Sequence, residues 1–212
     1  MQPFAVLKNM FSRSDLRKDP EKLRRGVRES YSRAATNPEG RHPFPCGKDF
    51  ALSLGYPQIL LDNLPARTTA SFVGVANVSV FAKLPVGASV LDIGCGAGLD
   101  ALIAAERVGP VGMAIGLDFS DDMLKVARQS AIEKGLSNLE FICGEAERLP
   151  LPDESFDFVL VNGIFNLNPD RAAVFKEIGR VTKPGGMVYA AELVLTGPLP
   201  KKRISHADDW FS

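Results

Sequence analysis

A chain of 212 residues, 45% of them hydrophobic, is long enough to bury a sizeable core and reads as one domain with attachments. Its 25 Lys and Arg balance 25 Asp and Glu, which excludes a global field drawing it to nucleic acid or an anionic membrane. The longest uncharged stretch, residues 68–82, carries Asn77 and several Ser and Thr, so it is too short and too polar to span a bilayer.

Residues 1–33 read as a charged helix with weak caps, holding nine basic and four acidic side chains, a local surplus of five. A solvated face is the first expectation for it, and a phosphate or RNA contact the lesser one. No continuous apolar run of a secretion signal lies near the amino end. The three cysteines, Cys46, Cys95 and Cys143, have neither metal-ligand spacing nor a disulfide pattern, so a cytoplasmic location is expected. "NPEGRHPFPCG" (37–47) packs three prolines and two glycines and cannot be regular structure. Residues 48–84 alternate short helical patches with turns, and 1–84 together are expected to cover a site in the segment that follows.

From Ser89 the pattern changes. "SVLDIG" reads as a strand, "LDALIAAERV" as an amphipathic helix and "MAIGLDF" as a second strand. "SDDMLKVARQSAIEKG" is a helix capped by Ser120, with two aspartates in its first turn and Gly135 at its end. "NLEFICGEA", "FDFVLVN" and "GGMVYAAELVL" supply three more strands. Between the last two lies the helix "PDRAAVFKEIGRV", expected to be capped by Asn168 with Pro169 at its first position. Such alternation predicts an α/β, doubly wound, Rossmann-like parallel sheet over residues 85–200, in the order 3-2-1-4-5.

"VLDIGCGAGLD" (90–100) carries the chemistry. Gly94, Gly96 and Gly98 directly follow a strand and precede a helix, allowing close backbone approach or positive φ. Asp92 lies in the strand end, where an uncompensated carboxylate is costly and an amine-bearing or cationic ligand would offset it. Asp118 ends the second strand twenty residues past Gly98, where an acid accepts hydrogen bonds from ribose hydroxyls. Glu145 stands at the same carboxyl edge. A P-loop needs a lysine and hydroxyl that are absent, and the dinucleotide fingerprint fails because position 99 is leucine.

The arrangement resembles the class I S-adenosylmethionine methyltransferases. That resemblance implies Asp92, Gly94 and Gly96 around the methionine moiety, with Cys95 packing behind them. It further implies Asp118 on the ribose, Phe119 along the adenine, and Glu145 with Ala146 at the adenine edge. From about Tyr31 to Pro200 the chain is similar to the arsenite methyltransferase family, in "SLGYPQILLDNLP", "GCGAGLDALIAAERVGPVG" and "NGIFNLNPDRAAVFKEIGRV". That family binds trivalent arsenic through cysteine sulfur. Here two of its cysteine positions fall on Val75 and Gly163, leaving Cys46 in "PFPCG" as a survivor. The resemblance therefore implies a relative with a different small-molecule acceptor. True arsenite methylation and a non-catalytic S-adenosylmethionine-binding domain stand as alternatives. Cys143 is expected to be buried and inert.

"LVNGIFNLNP" (160–169) leaves the fourth strand toward the acceptor. Asn162 is expected to be a polar contact of cofactor and acceptor, with Cys46, Gly163 and Asn166 facing the acceptor and Ile164 and Phe165 walling the site. No metal site is expected, and neither His42 nor His206 has the context of a general base. The superfamily's sheet has seven strands, and "TGPLPKKRISHADDWFS" is too short to supply the last two, so 201–212 reads as a truncated tail. A UGA selenocysteine codon read as a stop, a cloned fragment and a natural truncation would each produce it; the nucleotide sequence past codon 212 discriminates them.

Overall fold

The computed structural model describes residues 20–194. The calls on residues 1–19 and on the tail, His206 included, lie outside the described residues. Helix α1 (Pro20–Thr36) is followed by four short helices: α2 (Lys48–Ser53), α3 (Gln58–Asp62), α4 (Ala66–Ala70) and α5 (Val78–Phe81). The alternating part comprises β1 (Ser89–Ile93), α6 (Leu99–Val108), β2 (Met113–Asp118), α7 (Asp121–Lys134) and β3 (Leu139–Cys143). It continues with β4 (Phe156–Asn162), a 3-10 turn (Phe165–Leu167), α8 (Arg171–Val181) and β5 (Thr182–Ala191). Among the described residues the sheet has five parallel strands in the order 3-2-1-4-5.

The period of two along each strand divides the core between the sheet's faces. Val90, Ala114 and Leu160 point to one face, where α6 contributes Leu102 and Ile103 and α7 contributes Leu124. Leu91, Ile93, Ile115, Leu117, Val159 and Val161 point to the other, against Val174, Ile178 and Val181 of α8. Burial on both faces explains why β1 and β2 read as nearly continuous apolar runs.

Local chemistry sets the boundaries. The Ser120 hydroxyl accepts from the Met123 N–H at the start of α7, and Gly135 ends that helix in the left-handed region at φ 65°. The start of α8 differs from expectation. Asp170, not Asn168, is its cap, accepting from the Ala173 N–H at 3.0 Å, while Asn168 accepts from the Asp170 N–H at 2.8 Å. Proline at 169 therefore lies before the helix, and the asparagine closes the turn leading into it. Strand β5 also starts earlier than expected, at Thr182. A register shift between Phe156 and Phe158 absorbs the extra residues of "KPGG", and Gly186 sits where a Cβ would fall 2.9 Å from the Asp157 carbonyl.

Candidate cofactor and acceptor cleft

The turn after β1 folds back onto β2: the Gly94 and Cys95 N–H groups both donate to the Leu117 carbonyl, at 2.7 and 3.0 Å. Gly94 has φ +74°, and a Cβ there would lie 2.4 Å from Ile164 Cγ2. Side chains are excluded on both counts, and the backbone itself lines the cleft. That cleft, about 1060 Å³ with its mouth included, lies over the carboxyl ends of β1, β2, β3 and β4, where a doubly wound sheet places its ligands.

Two buried aspartates lie on its floor. Asp118 accepts from the Gly96 N–H (2.9 Å) and the Ser120 N–H (2.8 Å). Burial raises its carboxyl to about 6 against the opposing pull of the Ser120, Gly96 and Phe119 N–H groups and of Arg28. Asp92 is 2% exposed, and its Oδ2 has no hydrogen-bond partner. Burial first, then the Asp100 and Asp118 carboxylates, push it well above its ordinary value, with a backbone hydrogen bond from Ala101 acting the other way. An orphaned buried carboxylate oxygen beside a side-chain-free turn suits a ligand carrying an amine or a positive charge.

Most of the residues singled out from the sequence meet here: Asp92, Gly94, Cys95, Gly96, Asp118, Phe119, Glu145, Ala146, Asn162 and Gly163 all line this cleft. Cys95 is buried, and burial followed by the Asp118 and Asp92 carboxylates holds its thiol well above the usual range. Cys46 is not among the lining residues; it packs against the cluster of Ala34 and Phe44, its thiol 3.7 Å from the Pro38 carbonyl. Asn166 turns away as well, its amide donating to the Leu193 carbonyl at 2.6 Å. Phe165 stacks on Phe175, with ring centroids 4.6 Å apart, in the core on the α8 face, whereas Ile164 does line the cleft. Cys143, expected to be buried, is exposed.

Asn162 has a different occupation from the one expected. Its Oδ1 accepts from the Val75 and Ala76 N–H groups (2.9 and 3.2 Å), and its Nδ2 donates to the Ala76 carbonyl (2.8 Å) and Asp100 Oδ2 (2.9 Å). Asp100, in the first turn of α6, also accepts from Tyr56 Oη (2.7 Å), from the Ser79 N–H (3.2 Å) and from the Ser79 hydroxyl. The amide thus fastens residues 75–76 over the end of β4, with little capacity left for a ligand. Val75 is thereby held against Gly163: a Cβ at Gly163, where φ is +83°, would lie 3.0 Å from Val75 Cγ1.

Helix α1 was expected within a segment covering the site, but the role of its basic face was missed. Leu23, Val27 and Ala34 are buried, and Arg24, Val27, Arg28 and Tyr31 line the cleft. The expectation of a solvated basic helix gives way because its arginines meet acids on the third strand's exit loop. Arg24 pairs with Glu147 at 2.7 Å, and Arg28 lies 3.8 Å from Glu145. The Arg28 guanidinium also sits 5.4 Å from the centre of the Phe119 ring. The available signal was the helical spacing of Leu23, Val27, Ser30, Tyr31 and Ala34. Burial first, then Asp118 and Glu192, push the Tyr31 phenol well above its ordinary value, so it stays protonated.

Residues 85–211 match the family model described as a methyltransferase domain. An arsenite methyltransferase from Halobacterium salinarum is 34% identical over 196 residues, covering 86% of this chain and 50% of that protein. A demethylmenaquinone methyltransferase from Geobacillus kaustophilus is 49% identical over 107 residues, 50% of this chain and 45% of that one. Among solved structures, an arsenic(III) S-adenosylmethionine methyltransferase from Chlamydomonas reinhardtii superposes with a TM-score of 0.57 at 34% identity, covering 74% of this chain and 52% of that one. The chain spans about half the length of the curated relatives it matches. No helix among the described residues is long and apolar enough to cross a membrane.

Proposed function

The chain belongs to the methyltransferase-domain family, and we propose that it binds S-adenosylmethionine and transfers its methyl group to a small-molecule acceptor. The observation that carries the reading is the unpartnered Asp92 Oδ2, buried on the floor of a cleft whose nearest wall is glycine backbone. Asp92 takes the cationic amino-acid end of the cofactor, with Gly94 and Gly96 letting it approach the main chain. Asp118, already oriented by the Gly96 and Ser120 N–H groups, keeps lone pairs for ribose hydroxyls. Phe119, Glu145 and Ala146 take the adenine. When bound, the cofactor supplies a methyl group activated by its sulfonium. The chain's own part is then alignment and exclusion of water. His42 is not among the residues lining the cleft; its ring bonds the Asn37 carbonyl. Among the described residues no histidine lines the cleft, and the reading asks for none.

Isothermal titration of the chain with S-adenosylmethionine tests this, followed by release of S-adenosylhomocysteine over an acceptor panel. One saturable site and turnover with at least one acceptor are expected. Absence of any saturable binding overturns the reading, and binding without turnover on any acceptor leaves only a cofactor-binding domain.

A further inference from the structure

The cofactor groups named above lie over β1, β2 and β3, which leaves the part of the cleft over β4 for the acceptor. Its wall is mainly apolar, with Phe72, Val73, Gly163, Ile164, Leu167 and Pro169, and Ser71 and Asn168 also line it. The two polar groups that sequence position puts nearest, the Asn162 amide and the Asp100 carboxylate, are occupied by Val75, Ala76, Tyr56, Ser79 and each other. The lining arginines, Arg24 and Arg28, are engaged with Glu147 and Glu145 at the opposite end. Cys46 is not among the lining residues, and Cys95, which lines the cleft within the glycine turn, is largely buried with its thiol held protonated. Among the described residues the Tyr31 hydroxyl lines the cleft without a hydrogen-bond partner.

Resting on the methyl-transfer reading, we infer that this end of the cleft is a subsite for an uncharged, ring-bearing and largely apolar acceptor, with a polar group hydrogen-bonded by Tyr31. A metalloid needs two or more thiolates, and none is presented there. An anion would be desolvated without a counter-ion. Val75 backs Gly163 without itself lining the cleft: a Cβ at Gly163 would fall 3.0 Å from Val75 Cγ1, so any side chain there must displace this part of the wall. Apolar rings bury large areas against such walls, and one well-placed donor orients them.

Equilibrium dialysis of the 212-residue chain saturated with S-adenosylhomocysteine, against 2-naphthol, 2-naphthoate and arsenite with glutathione, reads the subsite directly. We expect saturable 2-naphthol binding, at least tenfold weaker binding of 2-naphthoate, and no saturable arsenite uptake. Gly163→Ala should weaken 2-naphthol at least tenfold, and Val75→Ala/Gly163→Ala should recover part of that loss by relieving the crowding. Tyr31→Phe should weaken 2-naphthol while leaving naphthalene unchanged. Arsenite or 2-naphthoate binding as tightly as 2-naphthol, or no 2-naphthol binding at all, overturns the inference. Failure of S-adenosylhomocysteine to bind sinks the methyl-transfer reading instead, and dialysis of the unloaded chain still ranks the three probes.

Discussion

Asp92→Asn should move stability and cofactor affinity in opposite directions. The wild-type carboxylate is 2% exposed, has an unpartnered Oδ2, and faces Asp100 and Asp118. Removing its charge relieves the desolvation of a group left unsatisfied, worth about 1–3 kcal/mol. An amide in its place also removes the repulsion from the Asp100 and Asp118 carboxylates. At about 2–4 °C per kcal/mol for a chain of this size, the ligand-free variant should melt about 2–12 °C higher at pH 7.5. The gain must depend on pH in one direction. A carboxyl raised in the folded state contributes stability that is fully present below its ordinary value of 3.8 and lost as pH rises through the raised value. Wild type and variant should therefore converge in acid and separate above it. Loss of a charge-assisted hydrogen bond to the ligand costs about 1.5–3 kcal/mol, a Kd weaker by roughly 10- to 150-fold. Melting curves from pH 4 to 8 and calorimetric titration check both arms. A variant that melts lower throughout, or that binds S-adenosylmethionine as tightly as wild type, refutes the reasoning.

Three further outcomes follow from the same geometry. Asn162→Ala strands the Val75 and Ala76 N–H groups and removes a donor from Asp100; it should cost about 2–4 kcal/mol in urea unfolding, and a loss below about 1 kcal/mol would count against the latch. Gly94→Ala adds a Cβ 2.4 Å from Ile164 Cγ2 at φ +74°; about 2–4 kcal/mol should be lost, partly regained with Ile164→Ala, as thermal unfolding would reveal. Arg28→Ala removes a half-exposed ion pair and the guanidinium over Phe119. Stability should fall by less than about 1 kcal/mol, while amides of residues 20–36 exchange faster and cofactor associates up to about fivefold faster; unchanged exchange there would show that Arg28 does not hold the helix down.

The strands, their order and the caps at Ser120 and Gly135 were legible in the sequence because each rests on local or period-two patterning. That the glycine turn and the strand-end acids would share one cleft was legible for a related reason: the fold's own geometry brings strand ends together. What failed depended on contacts distant in sequence. The charge of α1 looked solvent-directed until its arginines met Glu145 and Glu147. Asn162 looked like a ligand group because nothing local announces that Val75, Ala76 and Asp100 saturate it. Phe165 and Ile164 are adjacent, yet the 3-10 turn sends one to the α8 core and the other to the cleft. Cys143 ends an edge strand, and the apolar residues before it suggested a burial the last position does not have.

The hub at Asp100 has a bearing on how this protein can change. Tyr56, Ser79, Asp100 and Asn162 come from four separate segments, yet one carboxylate accepts from all the others. Substituting any single member strands a polar partner of the others, so the four act as one coupled unit. Grafting residues 160–169 from a relative to alter acceptor preference should therefore fail unless the matching partners at 56, 79 and 100 travel with it. The hold on the turn after β4 is a discontinuous block, and it must be transplanted whole.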